Sequence, residues 1–265
     1  MRLPVSMASS MASLVLLLAA SLLASCAAPP APPPPPSVAE ASARGDAALA
    51  AGHSQEALDN YMIAAGQHDH HAETAIGTMY YIGVGVVRDY SEAALWLTPS
   101  AEAGDAAAQY TLGQINNTGG SGVLQDRKKA FEWFRKSAAT GNVAAQYSLG
   151  HAYNFGDGTP IDYREAQRWY RSADAGANSD ATMSLGVLYA EGRGVGQDFR
   201  QALSYFRKAA DAGNAEAMRR IGNLYFNGDG VGRSDAQAYS WLRRAAAAGS
   251  EDAARRLTTP LVPSS

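Results

Sequence analysis

The chain has 265 residues, 46% hydrophobic and 18% charged, with a formal net charge of −3. That apolar fraction excludes a wholly disordered chain, and the length suffices for a sizeable buried core. A single cysteine excludes an intramolecular disulfide and a cysteine-cluster zinc site, and so weak a charge gives no reason to expect nucleic acid as a partner. The charge is uneven: residues 1–126 hold three Lys/Arg against eleven Asp/Glu, and residues 127–265 hold nineteen against fourteen. The asymmetry reads either as solvated helix faces or as a polarised surface turned toward anionic glycan, lipid head groups or an acidic partner.

Residues 1–25 have the layout of a secretory signal peptide. Arg2 lies beside the amino terminus, and Met11 to Ala24 is an apolar run too short for a permanent span, which needs about 20 residues. The run ends in Leu23-Ala24-Ser25-Cys26, which resembles a bacterial lipobox. The resemblance implies that Cys26 is lipidated and becomes the mature N-terminus, a membrane attachment made stable by more than one acyl chain. With Ala27 rather than an aspartate after the cysteine, it further implies the outer membrane of a Gram-negative bacterium, on its periplasmic face. Residues 26–37 follow as a linker with seven prolines, which favours the extended polyproline conformation over any helix.

Residues 38–68 read as a helix pair without a glycine loop. Its Ala57, Leu58 and Tyr61 resemble Ala202, Leu203 and Tyr205 further on, and the pair resembles a tetratricopeptide unit serving as an N-terminal cap.

From residue 69 to 252 the chain repeats itself. A glycine recurs at Gly77, Gly113, Gly150, Gly186 and Gly222, and an aromatic at Trp96, Trp133, Trp169, Tyr205 and Trp241, both at spacings of 36, 37, 36 and 36. Such a period is the mark of a solenoid. Eight residues before each glycine stands a good N-cap: Asp69, Asp105, Asn142, Asn178 and Asn214, with Ser250 opening a shorter last helix. A glycine-bearing loop closes each first helix. A second helix then opens at Asp89, Asp126, Asp162, Asp198 or Ser234, and Glu92, Glu165, Gln201 and Gln237 stand at capping-box distance from four of these. Ala93, Ala130, Ala166, Ala202 and Ala238 let the paired helices approach, while the Trp or Tyr fills the space between units. Pro99 is expected to kink or shorten its helix and to make the first repeat irregular. Residues 250–265 read as a C-terminal capping helix and tail.

These positions resemble the Sel1-like repeat, a relative of the tetratricopeptide repeat, most fully over Ala145–Ala173 and Ala181–Ala210. The resemblance implies an all-α fold, an α-solenoid in the form of a right-handed superhelix of helix pairs. Asn116 departs from it at an aromatic position, and Gly176 comes one residue early.

Chemistry is sparse. His68, His70 and His71 with Asp69 and Glu73 offer metal-ligand types, but Asp69 falls on a capping position and the adjacent histidines diverge, so no metal is assigned. His151 with Asp157 or Asp162 is the one conceivable acid–base pair. No catalytic elbow, zinc-protease pair or phosphate loop is present, and no cofactor is expected. Some cysteine-rich relatives are linked to penicillin binding; the repeats here have no cysteine, so that activity does not carry over.

Solenoids of helix pairs bind along the concave surface lined by their first helices. Residues five, nine and twelve after each cap share a face there. In the middle repeats they are Tyr110, Gln114, Asn117, Tyr147, His151 and Asn154, with Asn223 further on. Gln114, Asn117, His151 and Asn154 are expected to be exposed. The expectation is a non-enzymatic, lipid-anchored periplasmic scaffold binding a protein or peptide partner. The alternative is a lipoprotein that binds envelope polysaccharide or assists its export, with the pairs Arg219-Arg220, Arg243-Arg244 and Arg255-Arg256 holding the anionic polymer.

Overall fold

The structure, a computed structural model, describes residues 35–258. The segment read as a signal peptide, Cys26, most of the proline-rich stretch and the tail after residue 258 lie outside the described residues. Thirteen α-helices and no strand are found among the described residues. The cap pair is α1 (Val38–Ala50) and α2 (Ser54–Ala65). Five hairpins follow: α3 (His70–Ile82) with α4 (Tyr90–Glu102), α5 (Ala106–Thr118) with α6 (Arg127–Ala139), α7 (Val143–Phe155) with α8 (Tyr163–Ala175), α9 (Ser179–Glu191) with α10 (Phe199–Asp211), and α11 (Ala215–Asn227) with α12 (Asp235–Ala247). The short α13 (Glu251–Thr258) closes the stack. Each helix packs on the next in chain order, and the first helices α1, α3 and α5 also touch one another in sequence. The fold is therefore an all-α solenoid.

Local chemistry sets these boundaries. Asn142 Oδ1 accepts from the Ala145 backbone N–H at 2.9 Å, Asn178 and Asn214 do the same for Ala181 and Ala217, and Ser250 Oγ accepts from Ala253. Each such bond satisfies a donor that the first turn leaves unpaired. At the other end, Gly156 takes φ +78° and its N–H returns to the Ala152 carbonyl, a left-handed stop that residues with a Cβ resist.

The second helices open differently from the expectation. Asp89, Asp126, Asp162, Asp198 and Ser234 do cap them with their side chains. The reciprocal half of the capping box is missing there, because each cap residue has already spent its own N–H. Those of Asp89, Asp162, Asp198 and Ser234 donate to the carbonyls of Tyr80, Tyr153, Tyr189 and Tyr225, and that of Asp126 to Asn116, at 2.8–3.0 Å. This bond staples every loop to its own first helix. Freed from capping, Glu165 turns to Arg168 at 2.7 Å. Among the described residues the complete capping box is at Ser37 and Glu40, opening α1, where the Ser37 N–H donates to Glu40 Oε2 at 2.9 Å.

The interior also corrects the reading of the aromatics. Trp96, Trp133, Trp169, Tyr205 and Trp241 are only half-buried. The residue after each one, Leu97, Phe134, Tyr170, Phe206 or Leu242, is buried at 0–6% exposure and presses on the repeat glycine. A step of about 100° around the helix separates the two positions, so only one of them faces the partner helix squarely. By the same register Tyr61, which lies over Gly45, corresponds to Phe206 rather than Tyr205. The alanines Ala93, Ala130, Ala166, Ala202 and Ala238 are buried as expected.

Pro99 does not shorten α4, which keeps the thirteen residues of its counterparts. The ring sits in the last turn on an exposed face, and the carbonyl it deprives of a donor belongs to Leu95, itself 67% exposed and open to water. Irregularity falls instead in the second repeat. There the extra loop residue gives Gly119 ψ −177° and closes a bridge between Gly120 and Val123.

A signal absent from the sequence reading is the residue four after each first-helix cap. Glu73, Gln109, Gln146 and Thr182 are buried polar side chains. Gln109 Nε2 donates to the Ala101 carbonyl and Gln146 Nε2 to that of Ala138, each tying a first helix to the end of the preceding second helix.

Candidate functional site

The row of residues five, nine and twelve after each cap lies along one face of the stack, and the structure hollows that face at three places. Two of the hollows adjoin. One, of about 300 Å³, lies between α5, α6 and α7 and is lined by Gln114, Asn117, Tyr147 and His151 together with Tyr81 and Phe131. The other, of about 240 Å³, lies between α7 and α9 and is lined by Tyr147, His151 and Asn154 together with Met183, Val187 and Arg220. Tyr147 and His151 are thus the wall between them.

Five of the seven residues singled out from sequence are brought together here; Tyr110 and Asn223 are not. The Tyr110 hydroxyl accepts from Gln114 Nε2 at 2.9 Å and its ring packs on Phe134, so Tyr110 orients Gln114 instead of lining the hollow. Asn223 Oδ1 is taken by Arg256 Nη1 of the closing helix at 2.7 Å. Asn154 corrects the expectation of exposure: it is buried, 7% exposed, and its Oδ1 has no hydrogen-bond partner. Position twelve after the cap has turned toward α8, where Tyr170 covers it.

Electrostatics within the pair of hollows centres on Asp157. It accepts from Arg127 Nη1 at 2.7 Å and lies 3.5 Å from His151 Nδ1. Burial beside Tyr147 and Phe155 pushes the His151 ring below the usual histidine pKa, with Asp157 opposing. Burial, then the charge of Asp180, raises the Tyr147 hydroxyl, so both groups are neutral at pH 7. Asp162 is bound to the cap of α8 and takes no part. Among the described residues no hydroxyl is hydrogen-bonded to His151, so the acid–base pair conceived from sequence has no nucleophile in register. Chemically the arrangement offers amide, hydroxyl and imidazole groups set between aromatic rings, groups able to hydrogen-bond backbone amides of an extended chain.

Sequence reasoning named Asp157 beside His151 but missed Arg127 and its ion pair with Asp157. Arg127 occupies a position held by Tyr90, Tyr163 and Phe199 in other repeats, and that break in the aromatic column was the available signal.

The third hollow, of about 360 Å³, lies at the cap pair and includes Thr74 and Thr78 of the same row. His71 Nε2 is 2.8 Å from Asp46 Oδ1 at its rim, whereas His70 Nδ1 pairs with Glu73 and His68 sits in a turn at φ 62°. The three histidines diverge, and no group of three or more metal-ligating side chains is found among the described residues. The arginine pairs likewise form no single patch. Arg219 and Arg220 both bind Glu216, and Arg256 is held by Asn223.

A family model, the Sel1 repeat, matches residues 70–105, 106–142, 143–173, 179–214 and 215–250. The structure is similar to that of a Sel1 repeat protein from Oxalobacter formigenes, with 32% identity, a TM-score of 0.74, and coverage of 83% of this chain and 88% of that one. It is also similar to c5321, a protective antigen present in uropathogenic Escherichia coli strains that displays an SLR fold, with 28% identity and a TM-score of 0.75. There the match covers 83% of this chain and 48% of the other, so the chain spans about half the length of that antigen. No curated protein matches the chain.

Proposed function

The chain belongs to the Sel1 repeat family, and from that premise we propose that it is a non-enzymatic scaffold, tethered through Cys26 to the periplasmic face of the outer membrane, that binds an extended segment of a protein partner. Sel1 repeat proteins generally mediate protein–protein interaction, and solenoids of this kind are typically scaffolds without catalysis. The observation that carries the reading is the pair of adjoining hollows sharing Tyr147 and His151. Together they make a track across three first helices, with apolar side chains of Phe131, Met183 and Val187 interspersed among hydrogen-bonding groups.

The tether rests on Leu23-Ala24-Ser25-Cys26 and the prolines that follow. Crosslinking in the intact envelope tests both parts. Alanine changes at Gln114, Asn117, His151 and Asn154 are expected to abolish capture of the partner while the helical circular dichroism is kept. Cys26→Ser is expected to release the protein from the membrane fraction without affecting capture. Capture that survives the fourfold change sinks the groove, and membrane retention of the Cys26→Ser chain sinks the tether.

A further inference from the structure

We propose that the second helices of the last four repeats, α6, α8, α10 and α12, form a cationic platform that docks on an anionic lipid head-group surface. These helices carry thirteen Lys/Arg against five Asp/Glu, whereas the first helices of the same repeats, α5, α7, α9 and α11, carry two against three. The charge is therefore segregated by helix type, and of these thirteen cations Arg127 alone lines the recognition track.

It is also arranged. Lys128, Arg164 and Arg200 form one row at intervals of 36 residues, near the starts of their helices. Arg135, Arg171, Arg207 and Arg243 form a second row at the same interval, seven residues later. All seven are exposed. Seven residues is close to two helical turns, so on each helix the two rows share a face about 10 Å apart. The carboxylates among them are held locally: Glu132 by Arg135, Glu165 by Arg168 and Asp174 by Lys208. Asp211 ends α10 four residues after Arg207, and Asp235 opens α12, which carries no member of the first row. Among the described residues, Lys128, Arg164, Arg200 and Arg243 have no carboxylate partner.

Two parallel rows, one across three helices and one across four, make a two-dimensional array. One linear polyanion can follow a single row, whereas a sheet of head groups meets both. The half-buried indoles on the same helices point the same way. Lys136 lies 4.2 Å over the Trp133 ring, Arg168 4.7 Å over Trp169 and Arg244 4.0 Å over Trp241. With a cation over each of these three rings, a sugar would have to displace it to stack on that face, whereas a head-group phosphate would meet it directly. Docking would need neither Cys26 nor the hollows between first helices.

The test uses the compact unit Ser37–Ser265, which lacks Cys26, sedimented with vesicles of phosphatidylcholine alone or rich in phosphatidylglycerol. Binding is expected on the anionic vesicles alone and is lost at high salt. Changing either row to glutamine (K128Q/R164Q/R200Q, or R135Q/R171Q/R207Q/R243Q) should weaken binding by roughly fivefold per cation removed. Arg219→Gln with Arg220→Gln, on a first helix, should leave it unchanged, and circular dichroism checks that each variant is folded. Equal binding to both vesicle types overturns the proposal, as does wild-type binding by both row variants. Polyaspartate displacing the protein with sensitivity to one row alone overturns it in favour of a linear polymer.

Discussion

Gly150 on α7 lies against the ring of Tyr170 on α8: a β-carbon built at Gly150 would stand 2.6 Å from Tyr170 Cδ1. The ring is 1% exposed and cannot swing outward without opening the hairpin. Gly150→Ala is therefore expected to destabilise the fold by about 1–3 kcal/mol, the usual cost of overpacking. The corresponding contact in the last repeat, Gly222 on Leu242, is looser at 3.1 Å. Leucine itself does not guarantee room, since a β-carbon on Gly77 would stand 2.5 Å from Leu97 Cγ, so Tyr170→Leu combined with Gly150→Ala is not expected to recover the loss. Urea unfolding of the two variants against the parent measures this; a Gly150→Ala chain as stable as the parent contradicts it.

In the turn after α8 the glycine comes a residue early, and Ala177 is left in the left-handed region at φ 63° where other repeats place Gly104, Gly141, Gly213 and Gly249. A Cβ there costs about 1 kcal/mol. Ala177→Gly is expected to stabilise the protein by roughly 0.5–1 kcal/mol, the relief of strain outweighing the extra freedom of the unfolded chain. Moving the glycine back entirely is not expected to help. Gly176 faces Val143, and a β-carbon would approach Val143 Cγ2 to 2.4 Å. Thermal melts of Ala177→Gly and of the double change Gly176→Ala/Ala177→Gly should fall on opposite sides of the parent.

Glu73 is a carboxylate at 5% exposure, and its Oε2 accepts from Ser100 Oγ at 2.9 Å while lying 2.8 Å from His70 Nδ1. Ser100 is itself fully buried and also reaches the His70 carbonyl. Ser100→Ala removes a buried donor without filling its place, so a loss of about 1–3 kcal/mol is expected. Ser137, its counterpart one repeat later, reaches only the Ala106 carbonyl at 2.7 Å, a neutral partner. Ser137→Ala should therefore cost less than Ser100→Ala. The reverse order in denaturant titrations would remove Glu73 from the account.

The architecture was legible because each repeat restates the same local rules. Asp105 and Asn142 cap helices wherever they recur, and the glycine interval fixed the stacking register before any coordinate. What escaped was anything decided between neighbours in space. Whether Trp169 or Tyr170 faces Gly150 turns on one residue of helical phase, and the interval is the same for both. Asn154 shares position twelve with Asn117, which lines its hollow, but lies three residues further round than His151 and meets the Tyr170 side of the hairpin. The Arg127–Asp157 pair spans 30 residues and occurs in a single repeat, so the period marks it only by the missing aromatic at Arg127 and says nothing of its partner. The capping boxes failed for a related reason: a tertiary bond to the Tyr153 carbonyl outbid a local one.

His151 is where this neighbourhood has a pH consequence. Burial holds its ring below the usual histidine pKa, while Asp157, the opposing influence, is drawn toward Arg127. The unfolded chain takes up a proton at the ordinary value of about 6.5, before the folded chain does. Acid therefore favours the unfolded state. The stability associated with neutral His151 is fully present above that ordinary value, declines as pH falls through it, and levels off below the lower folded-state value. The side chain is 46% exposed, so the effect is expected to be small. His151→Asn should flatten this part of the stability profile, whatever it does to stability at neutral pH. Arg127→Gln should act in the other direction: with Asp157 no longer shared, the ring's pKa rises and the acid loss shrinks. Proton NMR titration of the His151 ring in the parent and in Arg127→Gln reads the shift directly. A parent ring titrating at or above the ordinary histidine value, or no upward movement on losing Arg127, would show that burial does not govern this side chain. Since a neutral imidazole can accept a hydrogen bond and a protonated one cannot, partner capture should weaken over the same interval in which the ring titrates, and His151→Asn should abolish that pH dependence.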